Sequence, residues 1–216
     1  IMFTFIIGAE VIGRKGNIYN SMAASAVVLL FFNPFLLWDV GFQLSYAAVL
    51  SIVVFMKPIY NWFAIQNKLL DGLWKLNALT LSAQILTLPL CMYHFHQAPT
   101  MFLITNLLAV PLSSLVLYML IILITVSAIP ALANFSGWII TKLLWLMNQF
   151  ILWVDQFRFA VVDGIQHTPI QTILLYGIIA AAGIWLIEKN KTAFLWLLGA
   201  ITGFFVLQSI YHYQTM

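Results

Sequence analysis

The chain is a series of long apolar runs cut by short breaks rich in proline, asparagine or charge. Residues 1–12 read as the tail of a first helix, 20–32 as a short second one and 40–56 as a third that ends at Lys57-Pro58. Residues 76–95, 136–154, 169–187 and 193–210 are further runs near the ~20 residues that a bilayer core requires. The run 100–129 is too long for one straight span at roughly 1.5 Å per residue, so a helix broken at Asn106 and Pro111 is expected there. Further breaks are expected at Asn33-Pro34 and at Pro89, because proline lacks an amide hydrogen and disfavours the α region at the residue before it.

Residues 59–75 follow a different pattern. Asn61, Asn67, Lys68, Asp71 and Lys75 fall on one side of a helical wheel, and Ile59, Trp62, Phe63, Leu69, Leu70, Leu73 and Trp74 on the other. That predicts an amphipathic helix lying in the membrane interface, with a soluble helix packed on a partner as the alternative. Gln66 falls on the apolar side without an account. In the polar connection 155–168, Asp163-Gly164 between extended runs suggests a small hairpin. The predicted fold class is therefore all-α: a polytopic transmembrane helical bundle with broken helices and one interfacial amphipathic helix, in a single domain over 1–216.

Composition agrees with that pattern. Of 216 residues, 63% are apolar and 7% charged, against about 25% charged in soluble domains. Outer-membrane barrels alternate polar and apolar residues, which this chain does not. A net charge of +3 leaves no basic footprint of the kind nucleic-acid surfaces carry. The single cysteine, Cys91, excludes an intramolecular disulfide. The chain opens on Ile1 without a charged leader, so it is expected to be an internal piece of a longer protein. With 100–129 counted as one crossing, loops 13–19, 57–75 and 188–192 share one side and carry Arg14, Lys15, Lys57, Lys68, Lys75, Lys189 and Lys191. Loops 33–39, 94–99 and 154–168 share the other, with Asp39, Asp155, Asp163 and Arg158. The positive-inside rule places the first set in the cytoplasm and Asp39 at the outer face of a multi-pass protein.

Candidate chemistry concentrates where the break at Asn33-Pro34 meets the next helix. Asp39 stands where a cap is needed, and Gln43 falls four residues on, on the same face. Ser45 and Tyr46 carry hydroxyls further into the segment. Such groups are costly in hydrocarbon unless they face protein or water, so this helix is the first candidate for a functional wall. Asn106, Pro111, Ser113 and Ser114 form a second such region. Helix–helix packing is the alternative for both. His94 and His96 are two apart and lack companion ligands, so no metal is expected. Gly13-Arg14-Lys15-Gly16 is a charged turn and not a phosphate loop. No nucleophile elbow or pair of carboxylates at hydrolase spacing is visible, so neither an enzyme nor a cofactor is expected.

The run Asn33-Pro34-x4-Asp39-x-Gly41-Phe42-Gln43-Leu44-Ser45-Tyr46-x-Ala48 resembles the signature of the ComEC competence proteins. Asn106-Leu107-Leu108-Ala109-Val110-Pro111-Leu112 resembles a second motif of that family, in matching order, with Leu88-Pro89 between the two. Tyr46 departs from the phenylalanine common there. The resemblance implies an inner-membrane channel that admits single-stranded DNA, with Asp39, Phe42, Gln43, Ser45, Tyr46, Asn106 and Pro111 along its path. It also implies that nuclease chemistry belongs to a metallo-β-lactamase-like domain and not to these residues. Implied partners are single-stranded DNA, membrane lipids, a DNA receptor, a cytoplasmic ATP-driven motor and further copies of the chain. Aromatics for base stacking are plentiful in Trp38, Phe42, Tyr46 and Tyr93, but intramembrane cations are scarce, with Lys142 and Arg158 the candidates in the second half. A small-solute or ion permease and a non-transporting scaffold are the other readings.

Overall fold

The computed structural model describes residues 17–163, 168–188, 192 and 195–203. The tail at 1–12 and the basic turn at 13–16 lie outside the described residues, as do His167, the charged turn at 189–191 and much of the last span. Six helices can be named: α1 Ile18–Phe32, α2 Val40–Tyr60, α3 Lys68–Phe95, α4 Phe102–Val126, α5 Pro130–Asp155 and α6 Pro169–Glu188. Two short strands are also described, β1 Gln97–Pro99 and β2 Val161–Asp163. Helices α2 to α5 are long and apolar enough to cross a membrane; α1 and α6 are shorter apolar helices. Large apolar side chains point outward along these helices, Phe31, Leu117 and Ile124 among them. That is the surface expected when the solvent is hydrocarbon and no longer drives apolar groups inward. The protein is an all-α polytopic membrane protein.

The chain divides into two compact units. The first takes in the described parts of Ile1–Ala64, Leu81–His96 and Ile165–Met216; the second takes in those of Ile65–Thr80 and Gln97–Gly164.

In the first unit the break at Asn33 is real. Its amide donates to the Leu29 carbonyl at 3.0 Å and closes α1. Its side chain accepts from the Phe35 amide at 3.1 Å and opens a 3-10 turn, Pro34–Trp38. Pro34 sits at the start of that turn, where a missing amide hydrogen costs nothing. Asp39 then caps α2, its carboxylate accepting from the Phe42 amide at 2.8 Å.

The second unit contains the antiparallel hairpin of α4 and α5, joined by the short turn 127–129. Its open end is clasped by the antiparallel pairing of Gln97 with Asp163, Ala98 with Val162 and Pro99 with Val161. The Thr100 amide and hydroxyl extend the clasp onto the Ala160 carbonyl, at 3.0 and 3.3 Å.

Three expectations need correction. Residues 59–75 are not one amphipathic helix. α2 runs on to Tyr60, a turn and coil follow, and α3 starts at Lys68. Asn67 begins α3 by accepting from the Leu69 amide at 3.0 Å, so a residue counted in the polar stripe is punctuation. Leu69 is 81% exposed while Ile59, counted on the same apolar side, is buried, so the two do not share one face. α4 is continuous through Pro111, which lies within the helix. At 25 residues it spans about 37 Å, which a modest tilt accommodates without a break. α3 is likewise continuous through Pro89, which is fully buried. The hairpin expected at Asp163-Gly164 runs into residues 164–167 and lies outside the described residues, while β2 pairs with β1, a strand distant in the chain. The ends of α4 and α5 bring those two strands together.

Candidate functional site

The motif helix builds its site from its first two turns. The Gln43 side-chain amide donates to the Leu37 carbonyl at 2.9 Å, within the 3-10 turn. Its oxygen lies 3.0 Å from His94 Nε2, near the end of α3. One side chain thus joins the turn, α2 and α3. Around it Trp38, Leu90, Tyr93, Pro169, Thr172 and Ile173 line a cleft of about 310 Å³. Tyr93 meets the His94 ring edge-on, with centroids 4.9 Å apart. Thr168 and Gln171 set the α6 side of the cleft as a capping box: the Gln171 side-chain oxygen accepts from the Thr168 amide at 2.8 Å. A Thr-x-x-Gln ahead of an apolar run is visible in sequence and is a signal the sequence reading did not use.

The other motif residues have separate tasks. The Asp39 carboxylate is occupied as a cap, and a Cβ on Gly41 would stand 3.0 Å from its oxygen, so the glycine leaves room for the cap. Phe42 lies against Tyr46, ring centroids 4.4 Å apart. The Tyr46 hydroxyl is 2.8 Å from that of Ser25 on α1, and Ser25 is completely buried. The tyrosine that stands in place of phenylalanine therefore ties α2 to α1. Ser45 is exposed and does not line the cleft with Gln43.

Asn106 lines a different cleft, inside the second unit, of about 290 Å³ with Thr105, Asp155 and Val161 among its walls. Pro111 is exposed further along α4 and is not part of that lining. The Ser113 and Ser114 hydroxyls both donate to the Val110 carbonyl at 2.9 Å, back onto their own helix. His96 is exposed with φ 56°, the left-handed residue that ends α3, while His94 faces Gln43.

Sequence reasoning missed the polar seam behind the cleft. Ser51 on α2 is fully buried and donates to the Ser82 carbonyl of α3 while accepting from the Leu86 amide at 3.1 Å. Those two backbone groups are one helical turn apart and would ordinarily bond each other. The Tyr176 hydroxyl of α6 donates to the Leu86 carbonyl at 2.8 Å. The stretch before Pro89 is thus held by side chains from two neighbouring helices.

The fold and this site define a class: a multi-helix membrane protein whose polar groups gather at a helix break beside an aromatic cleft. A family model described as "Competence protein" matches residues 1–190, and the chain belongs to that family. It is also similar to ComE operon protein 3 of Bacillus subtilis (strain 168), at 35% identity over 92 residues. That match takes in 43% of this chain and 11% of the relative's length. No solved structure matches the chain.

Proposed function

We propose that this chain is a membrane-spanning part of a bacterial DNA-uptake protein in the cytoplasmic membrane, and that it conducts a single strand and does no chemistry on it. The cleft beside Gln43 and His94 is the outward mouth of the path. The observation that carries the reading is the bridge from Gln43, a residue of the competence-type motif, to His94 inside an aromatic-lined cleft. Family membership supports it, as does the printed name of the Bacillus relative. Trp38 and Tyr93 offer faces for bases, and the amide and imidazole offer hydrogen bonds that do not depend on sequence. The side bearing Asp39 faces outward, because the basic loops fall on the other side. Passage draws on a cytoplasmic ATP-driven motor and a surface DNA receptor. Further copies or segments complete the wall.

The test is Gln43→Leu in the full-length protein of a transformable host, with membrane levels confirmed. Surface DNA binding should persist while labelled DNA in the cytoplasm falls at least about tenfold, the scale of losing one hydrogen-bonded contact in a low-dielectric path. Unchanged internalisation would mean that Gln43 only packs the helices and that the cleft is not the mouth.

A further inference from the structure

The second unit carries a surface that the motif does not account for. α4 contains no charged residue and is of spanning length, so it lies in hydrocarbon. α5 returns antiparallel along it and spans with it. The two faces of α5 differ sharply. Ser136, Ile140 and Val154 are buried. Opposite them, at helical spacing, Trp138, Lys142, Trp145, Gln149 and Trp153 are all exposed. Lys142 comes 12 residues after Pro130 and 13 before Asp155 (142 − 130 and 155 − 142), so it is at mid-helix. At ~1.5 Å per residue that is about 18 Å from either end of the helix, and still about 9 Å inside the 136–154 run expected to span, so most of the lysine stem lies among lipid tails. Trp145 is near the same level as Lys142, away from the helix ends where membrane tryptophans are enriched. An ammonium facing lipid tails at that depth is strongly unfavourable, so this face meets water, protein or an anion.

We propose that this face of α5 is a binding wall for single-stranded nucleic acid, with Lys142 contacting a backbone phosphate, Gln149 a polar edge and the tryptophans stacking on bases. The inference rests on the proposed function and adds a second contact surface to it. Three indoles interleaved with one cation and one amide on a single stripe are the chemistry that sequence-tolerant single-strand sites use. Polar groups alternating with flat apolar faces fit a polymer of alternating phosphates and bases. A second protein chain covering the stripe would have to supply a counter-charge at mid-membrane depth, and the anion of the proposed cargo already meets that need.

The test uses the full-length protein in cells that are importing labelled DNA. A photo-crosslinking phenylalanine analogue is placed at Trp138, Trp145 or Gln149 on the stripe and at Met147 on the other face. Near-isosteric replacement of the tryptophans keeps the fold. DNA adducts at the stripe positions and not at Met147 are the expected result. Alongside, Lys142→Met should lower internalisation about tenfold or more and Lys142→Arg should restore most of it, the scale of one charge-assisted contact. Adducts only to a second copy, another protein or lipid, in cells that still import DNA, would overturn the wall. So would full import by Lys142→Met. If Gln43→Leu blocks entry while the stripe gives no DNA adducts, the wall fails and the proposed function stands. If neither variant affects entry, both fail.

Discussion

Gln43 uses both ends of its amide, one to hold the 3-10 turn and the other to reach His94. Asp39, by contrast, caps the helix through one carboxylate oxygen. Asparagine caps as well as aspartate. Asp39→Asn should therefore leave DNA internalisation within about twofold of normal, because the cap is kept. A collapse of internalisation at normal protein level would assign the carboxylate a direct electrostatic role. Ser51 makes a second residue-level prediction. Removing its hydroxyl leaves the Ser82 carbonyl and the Leu86 amide, which can close on each other as in any regular helix turn. Ser51→Ala should then cost no more than about 1 kcal/mol, whereas Ser51→Leu forces extra volume into a fully buried site and should cost about 1–3 kcal/mol. Thermal unfolding of the full-length protein in detergent distinguishes the two. Equal losses would mean that the hydroxyl itself holds the seam.

At the scale of elements, α6 depends on one glycine. A Cβ on Gly183 would meet the Phe55 ring of α2 at 3.1 Å, whereas one on Gly177 would meet nothing within 4 Å. Gly177→Ala should be neutral or stabilising by up to ~1 kcal/mol, from helix propensity alone. Gly183→Leu should destabilise by more than about 1 kcal/mol, through overpacking. Comparable melting temperatures for the two would show that α2 and α6 do not meet there. The elements also show what the sequence could disclose. Break, cap and helix from Asn33 to Tyr46 were legible because each rests on a local rule: proline, an asparagine side chain, an aspartate at the cap. Pro89 and Pro111 obey the same local rule and still did not break their helices. In a membrane the loss of one backbone bond is outweighed by keeping the rest of the helix paired. Asn67 counts with the polar stripe in sequence because an N-cap and a polar-face residue look alike on a helical wheel. His94, Ser51 and Tyr176 were not legible as site residues at all. Their partners lie 51, 31 and 90 residues away in the chain, and no periodicity encodes a pairing between helices.

At the scale of the molecule, the chain combines apolar helices of spanning length with polar groups placed where helices stop or meet. In the first unit these groups surround a cleft with aromatic walls. In the second they run as a stripe along α5. Both arrangements suit a polymer that carries charge on one edge and flat apolar rings on the other. Membership of the competence protein family gives that polymer its proposed identity. On the proposed reading, the Gln43–His94 cleft is open to the outside and lies on the path of the strand. Ile173 lines that cleft and is 70% exposed, so it can be replaced by cysteine with little disturbance. The decisive measurement uses Ile173→Cys in the full-length protein with Cys91 and any other cysteines replaced. A bulky, membrane-impermeant thiol reagent is added from outside before labelled DNA. Modification should leave DNA bound at the cell surface but stop it from reaching the cytoplasm, and the cysteine-free parent should be unaffected. Continued internalisation through fully modified protein would contradict that reading.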